Sequence, residues 1–242
     1  MMKALIFDCD GVLVDTERDG HRVSFNRAFK AKGFGFEWSV AQYKELLKIA
    51  GGKERMSHYF NQVGWPAGIN DKDALIKELH KLKTELFMKI IESGELPLRP
   101  GVKRIVDEAS AEGMLLAVCS TSNEKAVSAV VNVMLGAERA KRFHIFAGDV
   151  VKKKKPDPEI YLLAQEKLNL KPSECFVVED SRNGFLAAKS AGTNCVITTN
   201  DYTIEEDFTG ADLIVSELGD EPRINVRLSD LKTIILGKSK GK

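Results

Sequence analysis

The sequence near the start of the chain predicts a buried β-strand that is followed by two aspartates. Ala4 to Phe7 is a continuous apolar run, typical of a strand covered on both faces in a parallel sheet. Asp8 and Asp10 follow, and because residues i and i+2 of an extended chain point the same way, their carboxylates are expected to lie side by side. Neighbouring carboxylates repel each other unless a cation or proton resolves the charge, so the segment predicts a hard metal site. The alternative is a simple turn at Gly11 in which the Asp side chains accept backbone N–H bonds.

The pattern that follows predicts an α/β protein with an inserted helical domain. From residue 96 onward, apolar runs of strand length, including a short one at Ile145 to Ala147, alternate with helical periodicity, which predicts a doubly wound, Rossmann-like parallel sheet. Residues 16–95 show helical patterns alone, clearest in the leucine and isoleucine spacing between residues 71 and 91. Connections in α/β units usually span about 2–6 residues. We therefore predict that 16–95 is an all-helical cap domain, inserted where it can cover a site, between the two parts of the core, 1–15 and 96–242.

The composition excludes several classes of protein. Of the 242 residues, 43% are apolar and 29% charged, and the net charge of +1 gives no electrostatic basis for binding nucleic acid or membranes. The four cysteines are scattered without CxxC spacing, which predicts buried, reduced thiols in a reducing compartment. No apolar stretch is long enough to span a bilayer, and the first strand begins too early to leave room for a targeting peptide. We expect a soluble monomer whose partner is a small molecule.

Three further polar segments follow predicted strands. Residues 120–123 run into a helix, and hydroxyls with free N–H groups at a helix N-terminus bind phosphate, although N-capping alone is the alternative. Two prolines follow Lys155 within three residues, and they stiffen the backbone and can aim its ammonium group inward. Lys152 to Lys154 are interpreted as a solvated basic loop. Glu179 and Asp180 end another apolar run. Acids that cap helices are common, but acid pairs at two strand ends of one sheet are not.

Taken in order, these segments resemble the four motifs of the haloacid dehalogenase superfamily, and the resemblance covers nearly the whole chain. It implies that Asp8 is the nucleophile that takes up a phosphoryl group, and that Asp10 protonates the leaving alcohol and then activates water. It also implies that Ser120 and Lys155 bind the transferring phosphate. The acidic residues would hold Mg²⁺, Asp10 through its carbonyl and Glu179 through water. These predicted metal ligands are Asp8, Asp10, Glu179 and Asp180.

Within that superfamily the chain is similar to the CbbY-type sugar bisphosphate phosphatases of photosynthetic organisms. The resemblance rests on residues 15–22, 51–55, 98–101, 119–129 and 146–158. It implies removal of the C1 phosphate of xylulose-1,5-bisphosphate, an inhibitor of Rubisco, to leave xylulose 5-phosphate. It also implies the chloroplast stroma as the location, with the cytoplasm as the alternative. Two other functions stay open: a β-phosphoglucomutase-type mutase, which shares the core residues, and a non-catalytic binding or regulatory protein on the same fold.

A bisphosphate substrate needs cations beyond those at the reacting phosphate, because its second phosphate must exchange its hydration for Arg or Lys contacts. The helical domain has basic residues near its predicted helix ends, and Arg99 lies at the return to the core. For each of these cations the alternative is an ordinary solvated charge. The predicted substrate-binding residues are Asp15, Glu17, His21, Lys53, Arg55, Arg99, Ser120, Thr121, Ser122, Asn123, Lys155, Arg182 and Asn183.

Overall fold

The computed structural model describes residues 1–49 and 51–239 and divides into two compact units. One unit is the continuous segment Thr16–Leu96. The other joins Met1–Asp15 to Pro97–Lys242. No helix in the described part of the chain is long and apolar enough to cross a membrane.

The unit Thr16–Leu96 is helical, with no strand among its described residues. A π-helical segment, Thr16–His21, precedes four α-helices. These are α1 (Arg22–Ala31), α2 (Val40–Leu47), α3 (Gly52–Val63) and α4 (Lys72–Glu92). An aromatic core joins them, in which the ring of Trp38 lies 4.8 Å from that of Phe25 and 5.0 Å from that of Phe29 between centroids. Burial of these large rings, rather than helix propensity alone, stabilises helices of this length.

The other unit is built on a six-stranded sheet whose strand pairs are all parallel, in the order β3-β2-β1-β4-β5-β6. The strands are β1 (Ala4–Phe7), β2 (Leu115–Ser120), β3 (Phe143–Ala147), β4 (Cys175–Glu179), β5 (Asn194–Thr198) and β6 (Leu213–Val215). Phe7 pairs with Val118 on one side and with Val178 on the other. The residues that follow β1, β2 and β4 therefore leave the sheet at one carboxyl edge. This topology confirms the predicted doubly wound α/β fold.

Helices cover the sheet and account for its continuous apolar runs. They are α5 (Val102–Ala111), α6 (Glu124–Leu135), α7 (Ala137–Ala140), α8 (Glu159–Lys167), α9 (Arg182–Ser190) and α10 (Leu228–Ser239). On one face, Ile6 and Val177 pack with Tyr161 of α8 and Phe185 of α9. Leu5, which points to the opposite face, is equally buried. The edge strand β3 is mostly half-buried and begins two residues before the predicted Ile145, because a partly solvated strand lacks a continuous apolar signal.

Candidate active site

The ammonium group of Lys155 joins three chain segments at the carboxyl edge of the sheet. Its Nζ donates to Asp8 Oδ1 at 2.7 Å, to the Cys119 carbonyl at 2.9 Å and to Glu179 Oε1 at 2.5 Å. The backbone N–H of Asp8 in turn donates to the Val178 carbonyl at 2.9 Å, so the chain is still in register with β4 where the sheet ends. The structure thus brings together residues that lie 147 positions apart in the sequence.

Three buried carboxylates form an acid cluster at this edge. Oxygen atoms of Asp8, Glu179 and Asp180 all lie within 4.8 Å of one another. Burial raises the pKa of Asp8 to about 7; Lys155 opposes this rise and Glu179 adds to it. Burial, followed by repulsion from Glu179 and Asp8, also raises the pKa of Asp180 well above its usual value. When all three carboxylates are ionised, their negative charge exceeds what Lys155 balances. The hard oxygen donors and excess charge of the cluster fit a divalent cation such as Mg²⁺.

The same contacts keep Lys155 charged. Burial by itself lowers the pKa of the ammonium group, but attraction to Asp8 and Glu179 outweighs burial and raises the pKa above its usual value. The fully buried Tyr161 donates its hydroxyl to Glu179 Oε1 at 2.5 Å, and its ring centroid lies 5.0 Å from Lys155 Nζ. A Cβ atom at Gly184, in the first turn of α9, would lie 2.0 Å from the Glu179 carboxylate. The position of Glu179 is therefore fixed from several sides.

Asp10 lies beside the loop that follows β2. Its Oδ2 accepts from the Ser122 hydroxyl at 2.5 Å and from the Ser120 hydroxyl at 3.4 Å. The Ser120 hydroxyl also accepts the Ser122 backbone N–H at 3.1 Å. Asn123 is the N-cap of α6, as the capping interpretation expected, and Thr121 is exposed. The loop therefore places two hydroxyls beside the Asp10 carboxylate, which follows Asp8 by two residues.

In the helical unit, the predicted phosphate ligand Arg55 belongs to a buried hydrogen-bond chain. Its Nη1 donates to the Tyr43 hydroxyl at 2.9 Å, and that hydroxyl donates to Glu17 Oε2 at 2.8 Å. Its Nε donates to the Leu46 carbonyl at 2.9 Å. The side chain is only 9% exposed. These contacts give Arg55 a structural part in connecting α2 to α3, and substrate binding by Arg55 or Glu17 stays a prediction.

The other two predicted ligands of the helical unit have different surroundings. His21 is half-buried, with its Nδ1 2.9 Å from Lys83 Nζ and its ring 3.9 Å from that of Phe87. Lys53 is exposed in the first turn of α3. Lys53 is therefore more accessible to solvent than His21, and both residues remain predicted ligands.

The remaining predicted ligands belong to the core unit. Arg182 forms an ion pair with Asp207 at 3.2 Å, and Asn183 is exposed in the first turn of α9. Asp15 is buried, with 8% of its surface exposed. Arg99 donates to backbone carbonyls at the carboxyl edge of the sheet. The structure places none of these four in the acid cluster itself, and their role in substrate binding stays a prediction.

Sequence reasoning missed one neighbour of the acid cluster, Asn200. Its Nδ2 donates to Asp180 Oδ2 at 2.7 Å. Gly11, which has φ +77°, lies against the same oxygen, because a Cβ there would be 2.0 Å from Asp180 Oδ2. A signal for Asn200 was available, since it follows the end of β5 by two residues and so leaves the sheet at the same edge.

The chain belongs to the haloacid dehalogenase-like hydrolase family, whose model matches residues 2–192. It is 59% identical over 223 residues to a CBBY-like protein of Arabidopsis thaliana, a match that covers 90% of this chain and 70% of the relative. It is 40% identical over 218 residues to Protein CbbY of Rhodobacter capsulatus, covering 90% of this chain and 94% of the relative. These matches confirm the predicted family and the predicted hydrolase class.

Solved structures of similar proteins agree with this assignment. CbbY from Rhodobacter sphaeroides in complex with phosphate superposes with a TM-score of 0.75 at 38% identity, over 96% of this chain and all of that one. A mutant of that protein in complex with xylulose-(1,5)bisphosphate gives a TM-score of 0.73 at 38% identity, over 91% of this chain and 96% of that one. A putative β-phosphoglucomutase from Thermotoga maritima gives 0.70 at 27% identity, over 88% and 94%. The chain is accordingly an enzyme that shares its fold with these proteins.

Proposed function

We propose that this chain is a Mg²⁺-dependent phosphatase that forms an aspartyl phosphate on Asp8 and removes the C1 phosphate of xylulose-1,5-bisphosphate. The observation that carries the chemistry is the contact of Asp8 Oδ1 with Lys155 Nζ at 2.7 Å, inside a cluster of three buried carboxylates. The substrate is supported by the likeness to the structure that holds xylulose-(1,5)bisphosphate. Release of inorganic phosphate from this sugar is the direct test.

In the first half-reaction a carboxylate oxygen of Asp8 attacks phosphorus, and the bond from phosphorus to the sugar oxygen breaks. Asp10 gives its proton to that oxygen as it leaves. The hydroxyls of Ser120 and Ser122, which donate to Asp10 Oδ2, hold this acid in one orientation. Lys155 keeps its charge against Asp8, and that charge also offsets the negative charge that gathers on the transferring group.

In the second half-reaction water attacks the phosphorus of the aspartyl phosphate. Asp10, now ionised, takes a proton from the water, and the bond from phosphorus to Asp8 breaks to release inorganic phosphate. Asp8, Glu179 and Asp180 are the residues that would hold Mg²⁺, which would supply charge neutralisation for the transferring phosphate. One residue set thus supports both half-reactions, with Asp10 acting first as an acid and then as a base.

The proposal assigns the second phosphate of the substrate to cations of the helical unit. Lys53 is the first candidate, because it is exposed, whereas the guanidinium of Arg55 already donates to neighbours within the unit. The helical unit would then act as the cap that the sequence predicts. A chloroplast location is part of the same proposal and is supported by the plant relative.

A kinetic panel tests the function. We expect kcat/KM for phosphate release from xylulose-1,5-bisphosphate to exceed that from xylulose 5-phosphate and β-glucose 1-phosphate by about 10²-fold, because a second phosphate adds binding energy that a monophosphate lacks. The measurement is the rate of inorganic phosphate release, with sugar products identified by NMR. Isomerisation of β-glucose 1-phosphate without net phosphate release would indicate a mutase instead. Tight binding of the bisphosphate with no turnover would indicate a non-catalytic protein.

Metal removal tests the assignment of the acid cluster. Incubation with a chelator is expected to lower phosphate release to about 1% or less, and added Mg²⁺ should restore it. Because Asp8, with a pKa of about 7, must lose its proton to act as a ligand, the affinity for Mg²⁺ should increase as the pH rises from about 6 to about 8. Isothermal titration calorimetry at several pH values measures this affinity. Full activity in the presence of the chelator would contradict the metal site.

A further inference from the structure

The guanidinium group of Arg99 joins three loops at the carboxyl edge of the sheet. Its Nη1 donates to the carbonyls of Gly11 and, at 3.0 Å, Thr198. Its Nη2 donates to the carbonyls of Thr199 at 2.7 Å and Ser216 at 2.6 Å. Gly11 and Ser216 lie beyond the ends of β1 and β6, Thr198 is the last residue of β5, and Thr199 follows it. A single side chain therefore connects the segment just after the catalytic aspartates to two chain segments that lie 99 and 117 residues beyond Arg99 in the sequence.

The backbone around Arg99 strengthens the same connection. The Arg99 N–H donates to the Leu13 carbonyl at 2.9 Å, and Val14 forms an antiparallel bridge with Leu98. The Gly11 N–H donates to the Val14 carbonyl at 2.8 Å, which closes the loop after Asp10 on itself. This loop is thus bound to the Arg99 segment by both main chain and side chain.

Gly11 transmits the contact to the acid cluster. Its carbonyl accepts from Arg99, and a Cβ on its Cα would lie 2.0 Å from Asp180 Oδ2 and 3.0 Å from Asn200 Nδ2. Asn200, one residue after the Thr199 carbonyl that Arg99 also holds, donates to that same Asp180 oxygen at 2.7 Å. Arg99 therefore fixes the two pieces of backbone against which the Asp180 carboxylate is placed.

We infer that Arg99 is a positioning residue for the acid cluster and does not bind the substrate. The two terminal nitrogens of a guanidinium carry four N–H bonds, and four backbone carbonyls accept from them here. A substrate phosphate would have to displace these carbonyls, whose lost hydrogen bonds oppose the exchange. The planar fork of arginine suits this arrangement, whereas lysine has three donors on one nitrogen and reaches fewer acceptors.

The inference rests on the proposed function where it is tested by enzymatic activity. Mg²⁺ binding in the absence of substrate is a second test that does not depend on that activity. The test compares Arg99→Met and Arg99→Lys with the matched control Arg104→Met. Arg104 is also an arginine that donates to loop carbonyls, but its acceptors are Leu218, Gly219 and Val226, whereas Arg99 donates to the segments next to the acid cluster. For each full-length protein we would measure the midpoint of thermal unfolding, the dissociation constant for Mg²⁺ by calorimetry without substrate, and kcat and KM for phosphate release.

We expect both methionine variants to lower the unfolding midpoint and Arg99→Met alone to weaken Mg²⁺ binding, by at least about tenfold, as for other residues that orient metal ligands. Its kcat should fall while KM for the sugar phosphate changes little, and Arg99→Lys should recover part of both losses. Should Arg99→Met fail to fold, Arg99→Lys still provides the comparison. Unchanged Mg²⁺ affinity in the folded Arg99 variants, or a rise in KM with kcat unaltered, would overturn the inference. Absence of phosphate release by the unsubstituted enzyme would instead refute the proposed function, and the Mg²⁺ comparison would still test Arg99.

Discussion

Replacing Asp8 by asparagine is expected to lower kcat for phosphate release by about 10⁴-fold or more, because the amide cannot accept a phosphoryl group and the nucleophile acts as a unit with its neighbours. Asparagine keeps the size of the side chain and an oxygen that can accept from Lys155, which lies 2.7 Å from Asp8 Oδ1 in the native enzyme. The substitution therefore removes the chemistry and leaves the packing in place.

The thermal stability of Asp8→Asn shows whether a loss of activity is due to the missing nucleophile or to unfolding of the protein. Burial raises the pKa of Asp8 to about 7, so the folded protein holds a proton that the unfolded chain releases, and the free energy of unfolding falls as pH rises between about 4 and 7. Asparagine carries no such penalty. At pH 8 and without metal, Asp8→Asn should therefore unfold at a temperature no lower than the native enzyme does, as measured by circular dichroism.

The matched control for Asp8→Asn is Asp107→Asn. Asp107 is an exposed residue that pairs with Arg139 at 2.7 Å on the surface. The same chemical change there should leave kcat unaltered. Acid quenching and mass spectrometry should detect a phosphoryl adduct on the Asp8 peptide of the native enzyme and none in Asp8→Asn. Turnover above about 1% of the native rate in pure Asp8→Asn would falsify the assignment of Asp8 as nucleophile.

The central strands of the sheet were predictable because burial on both faces requires a local run of apolar residues in the sequence. β1, β4 and β5 are buried on both faces, so each contains an apolar run of at least three residues in the sequence. The edge strand β3 is half-exposed, and its boundary was accordingly misplaced by two residues. The short helix α7 was not predicted, since a four-residue element contains too little periodicity to recognise.

The acid cluster was predictable for a second reason, which is that parallel strands end at a common edge. That rule brings Asp8, Glu179 and Asp180 together without knowledge of any side-chain contact. The rule does not predict which side chains will contact each other when they are far apart in the sequence. The contact of Tyr161 with Glu179 depends on the placement of α8, and a helical tyrosine is ordinarily interpreted as core.

The side-chain contacts of charged residues outside the strand ends were the least predictable. Arg55 and Arg99 were both expected to bind a second phosphate, on charge and position alone. In the structure each guanidinium donates to backbone carbonyls of its own unit: Arg55 to the Leu46 carbonyl, and Arg99 to Thr198 and Thr199. Loop carbonyls that lack a backbone partner can accept hydrogen bonds from an arginine and so compete with a ligand for its guanidinium group. Which carbonyls these are can be seen only in the folded structure.

Replacing Lys155 by methionine is expected to lower kcat by about 10²–10³-fold, the usual effect of removing one charged donor from a transition state. Methionine keeps most of the length of the side chain but removes the ammonium group that donates to Asp8, Glu179 and the Cys119 carbonyl. Breaking a buried ion pair on one side also destabilises a protein by about 3–5 kcal/mol, because the partner charges lose their compensation. Here those partners are the buried carboxylates of Asp8 and Glu179.

The adjacent Lys154 provides the matched control for Lys155→Met. Lys154 is exposed, and its ammonium group contacts the Gly148 carbonyl and, at 3.1 Å, the exposed Asp149. Lys154→Met removes one positive charge from the same loop, so a general electrostatic effect would appear in both variants. We expect near-native kcat and stability for Lys154→Met. Equal losses in the two variants would show that the loop charge matters and the buried contact does not.

The pH dependence of stability distinguishes the buried contact from a loss of packing. Lys155 lowers the pKa of Asp8 in the native enzyme, so without its charge the pKa of Asp8 should rise further above 7. The folded variant then holds a proton that the unfolded chain releases over a wider pH range, so its free energy of unfolding should keep falling between about pH 7 and pH 8, where that of the native enzyme levels off. Urea unfolding at several pH values in the absence of metal measures this slope. A parallel shift of the whole profile, with no change of slope, would mean that methionine disturbs packing and that Lys155 does not carry the charge compensation assigned to it.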